Sequence, residues 1–292
     1  MGAKTGIAWT DSTYNSWWGC MKVGPACDDC YAEATDERAG GGHWGQGATR
    51  RLLSETARNE PLRWQRNAGR FFEEHGRRRR VFTLSMGDLF DKEVPDEWRE
   101  GHFAIMDRCP DIDWQICTKR VGNVARMVPT SWLRDAWPAN VGLLVTTVTQ
   151  AEADRDIPKL RDLKRHHRLP WIGVSWEPAQ EPVDFSAHLP AVHHHPDNVM
   201  SPALTALIGS AVNSLGGDYL DWIIFGGKSG RNWNDRPFDA DWARPVMASC
   251  AATGVAFFFK QVAAFRPTDA MIPADMMVRQ FPNGRGATLA AS

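Results

Sequence analysis

Cys20, Cys27 and Cys30 fall in the run Trp18-Gly19-Cys20-Met21-Lys22-Val23-Gly24-Pro25-Ala26-Cys27-Asp28-Asp29-Cys30-Tyr31-Ala32-Glu33, a C-x6-C-x2-C spacing. Three thiolates on one loop can hold three irons of a [4Fe-4S] cubane and leave the fourth iron open. An open iron can bind a small molecule, which suits a catalytic cluster better than a simple electron carrier. Zinc is the rival. A closed zinc site needs four ligands, commonly two close pairs. Cys27 and Cys30 form one pair, no second C-x2-C or H-x3-H follows, and Cys20 with His43 would complete a Cys3His set. Spacing alone leaves the cluster, zinc and a site without metal open. Cys109, Cys117 and Cys250 are scattered and read as small buried residues.

The other polar residues placed for chemistry depend on the elements that carry them. Val81–Ser85, Trp114–Thr118, Gly142–Val148, Trp171–Trp176, Trp222–Phe225 and Val255–Phe259 read as strands. Most are continuously apolar, the pattern of strands buried on both faces of a parallel sheet. Helical segments lie among them: Asp28–Arg38 as a helix start, Glu55–His75, Asp96–Arg108 with Asp96 as N-cap, Gln150–His167, and Asp239–Thr253 ending at Gly254. Strand–helix alternation predicts a right-handed βα series. The expected fold is a full or partial (β/α) barrel of six to seven parallel strands behind an N-terminal cysteine loop, with an open doubly wound sheet as the alternative. Asp88, Lys119, Glu177, Lys228 and Lys260 all fall at strand C-terminal ends, the mouth where a barrel builds its active site.

The expected organisation is one domain over residues 1–265, interrupted by an insertion at about 179–220, then a C-terminal extension over 266–292. The insertion holds His193-His194-His195-Pro196, read as an exposed loop, and a short helical run, Leu204–Leu215. Net charge is −1, so no global basic field drives nucleic-acid binding. Arg77-Arg78-Arg79-Arg80 is a dense basic run, read as a solvated helix end before a strand. No apolar stretch of about 18 residues is present to span a membrane. The first residues lack the apolar core of a secretion signal. Clustered thiols in a chain large enough to need no disulfide staples point to a reducing cytoplasm.

Several blocks carry a family resemblance. They are Ile7-Ala8-Trp9-Thr10-Asp11-Ser12-Thr13-Tyr14-Asn15, the cysteine loop ending Cys30-Tyr31-Ala32-Glu33, Asp88-Leu89-Phe90 with Val94-Pro95, and Thr118-Lys119-Arg120. Gly173-Val174-Ser175 with Glu177-Pro178, Gly226-Gly227-Lys228-Ser229-Gly230 and Phe257-Phe258-Phe259-Lys260-Gln261 complete the set. In this order, over about residues 6–262, the chain resembles the phage-associated three-cysteine-motif family, a radical-SAM-like domain of unknown function.

The resemblance implies a [4Fe-4S] cluster on Cys20, Cys27 and Cys30, with S-adenosyl-L-methionine on its open iron. An electron would cleave a carbon–sulfur bond to give a 5′-deoxyadenosyl radical. It places cofactor contacts at Ser85, Gly87, Asp88, Glu177, Gly226 and Gly227, and catalytic roles at Lys119, Glu177 and Lys260. It implies a reductant such as flavodoxin or ferredoxin, and a nucleobase, nucleotide or modified phage DNA as substrate. Asp88 would accept from the methionine ammonium, and Lys119 with Arg120 suits a carboxylate or phosphate. Trp17, Trp18 and Tyr31 would shield the cluster or stack on adenine. Two departures stand out: the first cysteine gap is longer than the usual C-x3-C-x2-C, and Lys228 stands where relatives often carry glutamate. The competing reading is a zinc-stabilised, non-catalytic phage protein that binds nucleic acid or protein.

Overall fold

A computed structural model describes residues 5–28, 30–190 and 217–282. The three consecutive histidines, the Leu204–Leu215 run and Asp29 lie outside the described residues. The described chain forms two compact units, residues 5–144 and 145–282.

In the first unit, β1 (Ser12–Tyr14) opens the chain and β2 (Trp17–Trp18) follows it. Helix α1 (Tyr31–Arg38) comes after the cysteine loop, and β3 (Arg51–Leu52) pairs antiparallel with β2. Three short helices, α2 (Glu55–Arg58), α3 (Glu60–Arg66) and α4 (Ala68–His75), then lead into β4 (Arg79–Thr83). The single helix expected over Glu55–His75 is broken at Asn59 and Asn67, and Pro61 enters the first turn of α3 without an amide hydrogen to give. Helix α5 (Asp96–Asp107) precedes β5 (Ile112–Thr118). Pro95, not Asp96, is its N-cap; Asp96 is the first helical residue and pairs with Arg99.

Two short helices, α6 (Val124–Met127) and α7 (Thr130–Arg134), separate β5 from β6 (Val141–Thr146), whose last residues belong to the second unit. β1 pairs parallel with β4, β4 pairs parallel with β5, and β6 follows β5 in the sheet. Arg77–Arg80 is no solvated helix end. Arg79 and Arg80 begin β4, Arg77 makes two hydrogen bonds to Asp11 (2.7 and 2.8 Å), and Arg79 lies 4.2 Å over the Phe71 ring.

In the second unit, α8 (Gln150–His167) starts at Thr149, whose hydroxyl accepts from the Glu152 amide (3.3 Å) while Glu152 accepts from Val148 N–H (2.9 Å). β7 (Ile172–Trp176), β8 (Trp222–Gly226) and β9 (Ala256–Gln261) pair parallel in that order, and α9 (Ala243–Thr253) ends at Gly254 in the left-handed region. Every residue of β6, β7 and β8 is buried, as their unbroken apolar runs predict. Each buried Val, Ile or Phe contributes about 1.5–3 kcal/mol. After Phe265 the chain returns to β9: Phe259 N–H donates to Val278 and Gln280 N–H to Phe257 (2.8 and 2.9 Å).

The chain is thus an α/β protein with seven parallel strands placed in chain order. Among the described residues, the order reversal that defines a doubly wound sheet occurs in neither unit.

Candidate functional site

The cysteine loop leaves β2 through Gly19, whose φ of +114° belongs to glycine. A Cβ there would sit 2.3 Å from the His43 carbonyl oxygen. The loop is stitched to the turn that follows β4. Gly19 N–H donates to Met86 (3.0 Å), and Tyr31 Oη donates to the Ser85 carbonyl (2.8 Å). Asn15, just past β1, accepts from Met86 N–H (2.8 Å) and donates to Ser85 Oγ (3.0 Å). The turn itself is strained: Leu84, bulky and buried, sits at φ +59°, a cost of about 1–3 kcal/mol. Trp17 is fully buried, Arg51 lies 5.3 Å over Trp18, and Tyr31 is 55 % exposed.

Asp88 anchors the next layer. Its Oδ1 accepts from Thr118 Oγ1 (2.8 Å) and Phe90 N–H (3.0 Å); its Oδ2 accepts from Lys119 N–H (3.0 Å) and Arg120 Nη1 (2.9 Å). Four donors fill the capacity of a carboxylate. Arg120 reaches from this buried ion pair to the cysteines. Its Nη1 lies 3.4 Å from Cys20 Sγ, and its Nη2 donates to the Met21 carbonyl. Burial pushes the Cys20 thiol up to about 12, with Arg120 opposing, so a metal would have to displace its proton. Cys27 is buried, and its Sγ accepts from Val23 N–H (3.5 Å). Burial alone would lower Lys119; the field of Cys117, Cys27, Cys30 and Asp88 outweighs it and leaves the ammonium raised. Cys117 faces Lys119 from two residues earlier on β5; the sequence offered no sign of this beyond i, i+2 alternation.

Among the described residues, no three His, Cys, Asp or Glu side chains converge as a metal-holding group. The loop does bring together thiol sulfurs, N–H donors to two of them and cationic neighbours, the donor chemistry a cluster would use. His43 is held differently. Its Nδ1 meets Asp36 Oδ1 at 2.7 Å, and Gly45 N–H donates to the Cys20 carbonyl (2.9 Å). Arg50 fixes that segment, donating to the His43, Gly45 and Ala48 carbonyls and to Asp91 and Glu93.

The remaining expected residues lie in the second unit. Lys260 Nζ sits 2.9 Å from Glu177 Oε1, and Ser175 Oγ donates to Glu177 Oε2 (3.2 Å). Gly226 makes room for this pair, since a Cβ there would lie 2.8 Å from Glu177 Oε1. At Gly227 a Cβ would strike the Ala263 amide at 2.2 Å. Lys228 pairs with Asp235, Nζ lying 2.8 Å from both carboxylate oxygens. The structure therefore groups Cys20, Cys27, Cys30, Ser85, Gly87, Asp88 and Lys119 in one unit, and Glu177, Gly226, Gly227 and Lys260 in the other.

A further polar group of the first unit, His102, carries no signal in the sequence. The His102 ring lies between two hydroxyls, with Nδ1 2.5 Å from Ser16 Oγ and Nε2 2.6 Å from Thr83 Oγ1. Burial pushes it down to about 3, so it is neutral. With Ser16, Arg58 and Glu97 it lines a cavity of about 310 Å³.

Fold and site define a chain-ordered parallel α/β protein carrying a three-cysteine loop. Residues 4–290 match the family described as "Protein of unknown function (DUF5131)", and the chain belongs to that family. No curated relative and no solved structure matches it.

Proposed function

We propose that the chain is an iron–sulfur enzyme of the radical S-adenosylmethionine type, acting on a nucleobase, nucleotide or DNA, in keeping with its resemblance to phage-borne proteins. The observation that carries this is the anchoring of the three-cysteine loop onto the strand ends of the first unit through Arg120, Asp88 and the Ser85–Gly87 turn. Cys20, Cys27 and Cys30 would hold the [4Fe-4S] cluster. Such a cluster, reduced by a flavodoxin or ferredoxin, supplies one-electron cleavage of the sulfonium cofactor.

The chain's own residues do the positioning. Asp88, with its lone pairs taken, fixes Arg120 and the Lys119 backbone instead of touching the cofactor. Lys119 brings a positive charge to the cysteine loop, suited to a carboxylate or phosphate. Glu177 and Lys260 set a carboxylate and an ammonium at the strand ends of the second unit, where hydroxyl and phosphate groups can be held.

Anaerobic reconstitution followed by a cofactor-cleavage assay tests the proposal. The expected result is a brown protein with about four irons and four sulfides that releases 5′-deoxyadenosine under reduction. Cys27→Ala loses both cluster and cleavage while keeping its circular dichroism. Iron and sulfide without 5′-deoxyadenosine would overturn the S-adenosylmethionine step. A second reading, structural zinc on Cys20, Cys27, Cys30 and His43, rests on the Asp36–His43 pair, since zinc-bound histidines usually give their other ring nitrogen to a carboxylate. A colourless protein holding one zinc establishes that reading instead.

A further inference from the structure

The second unit carries a surface that the chemistry above does not use. The segments leaving β8 and β9 run side by side. Ser229 and Ala264 form a parallel bridge, Ala264 N–H donates to Lys228 (3.1 Å), and Gly230 N–H donates to Phe265 (3.1 Å). Trp233 lies four residues beyond Ser229 and is 38 % exposed; Phe265 directly follows Ala264 and is 55 % exposed. Two large aromatics are thus presented to solvent from adjoining loops at the ends of β8 and β9, which also carry Gly226 and Lys260.

The acids around them are each engaged elsewhere. Asp235 is spent on Lys228, Asp269 on Arg279, and Asp241 and Asp275 on Arg244. Asp239 caps the turn before α9 by accepting from Asp241 N–H. Arg231 and Arg266 are exposed, and among the described residues neither has an acidic partner. Arg266 instead lies 5.7 Å over the Phe265 ring. Exposed π-faces bordered by guanidinium groups with no acidic contact can take stacked bases on a phosphate backbone. A duplex hides its base faces and cannot use such a surface.

We propose that Trp233 and Phe265, flanked by Arg231 and Arg266, form a base-stacking platform for single-stranded nucleic acid. That the bound strand is also the substrate rests on the enzymatic reading above; the binding itself does not, because every residue of the platform lies outside the cysteine loop.

Fluorescence anisotropy with a labelled oligothymidylate, an abasic oligomer of equal length and the matching duplex decides the matter. The oligothymidylate should bind more tightly than either control. Trp233→Ala and Phe265→Ala should each raise its Kd about 5- to 150-fold, Trp233→Phe should restore most of the loss, and thermal midpoints should stay unchanged. Cys27→Ala should bind as well as the parent, so a failed cluster leaves this result standing and a failed platform leaves the cluster standing. No binding, equal affinity for the abasic strand or the duplex, or indifference to both alanine variants overturns the proposal.

Discussion

His102 is neutral because nothing offsets its desolvation: its ring meets the Ser16 and Thr83 hydroxyls, stacks on Tyr14 at 4.7 Å and faces Trp17 edge-on, with no carboxylate in contact among the described residues. Its folded pKa near 3 lies below the ordinary 6.5. Between those values the unfolded chain binds a proton that the folded chain refuses. The contribution of His102 is therefore intact above pH 6.5 and is lost as pH falls toward 3. Asp113, raised by burial to about 6 beside Arg78 and Arg80, works in the opposite sense and weakens the fold as pH rises from 3.8 to 6. Comparison with His102→Gln isolates the imidazole, since the amide can still donate to one hydroxyl and accept from the other. Urea midpoints measured from pH 7.5 down to 4.5 should fall more steeply for the parent than for the variant; parallel curves would show that His102 is protonated in the fold. Sequence could not reveal this residue, because a histidine inside a helix acquires its chemistry from Ser16 and Thr83, distant in the chain. The cysteines were legible for the opposite reason: their spacing is local, whereas the partner that holds Cys20, Arg120, comes from the far end of β5.

Elements were legible in proportion to how much of their signal is self-contained. β6, β7 and β8 announce themselves as unbroken apolar runs. β1 is the three residues Ser12-Thr13-Tyr14, which carry no run and become a strand only by pairing with Val81–Thr83. Helix ends follow the same logic. Gly254 closes α9 at φ +73°, where any Cβ is strained, and its identity marked the end of the helix in advance. Gly101 is the reverse case: it sits inside α5, and a Cβ there would meet nothing within 4 Å. Gly254→Ala should therefore destabilise the protein by about 1 kcal/mol, and Gly101→Ala should stabilise it by roughly 0.5–1 kcal/mol through the unfolded chain. Chemical denaturation of the two variants side by side reads both signs. A loss at Gly101 would mean that the cavity beside His102 needs the space a methyl group fills.

At the scale of the whole molecule, the charge balance limits what any nucleic-acid contact can be. A net charge of −1 supplies no long-range attraction, and the densest basic run is consumed internally, by Asp11 at Arg77 and by the Phe71 ring at Arg79. The composition therefore predicted weak general affinity for DNA, but it could not show that Arg231 and Arg266 escape the neutralisation that claims the acids around them. With those two guanidinium groups placed to meet phosphates beside Trp233 and Phe265, single-strand binding should depend weakly on salt. Each neutralised phosphate on a single strand lowers the logarithmic slope of affinity against salt by about 0.7, so the slope should be roughly −1.4. Removing either arginine should flatten it by about 0.7, while Trp233→Ala should weaken binding without changing the slope, because stacking releases no counterions. Titrations at several potassium chloride concentrations give these slopes directly. A slope steeper than about −4 would require more than five phosphate contacts and would move the binding surface away from this pair of loops.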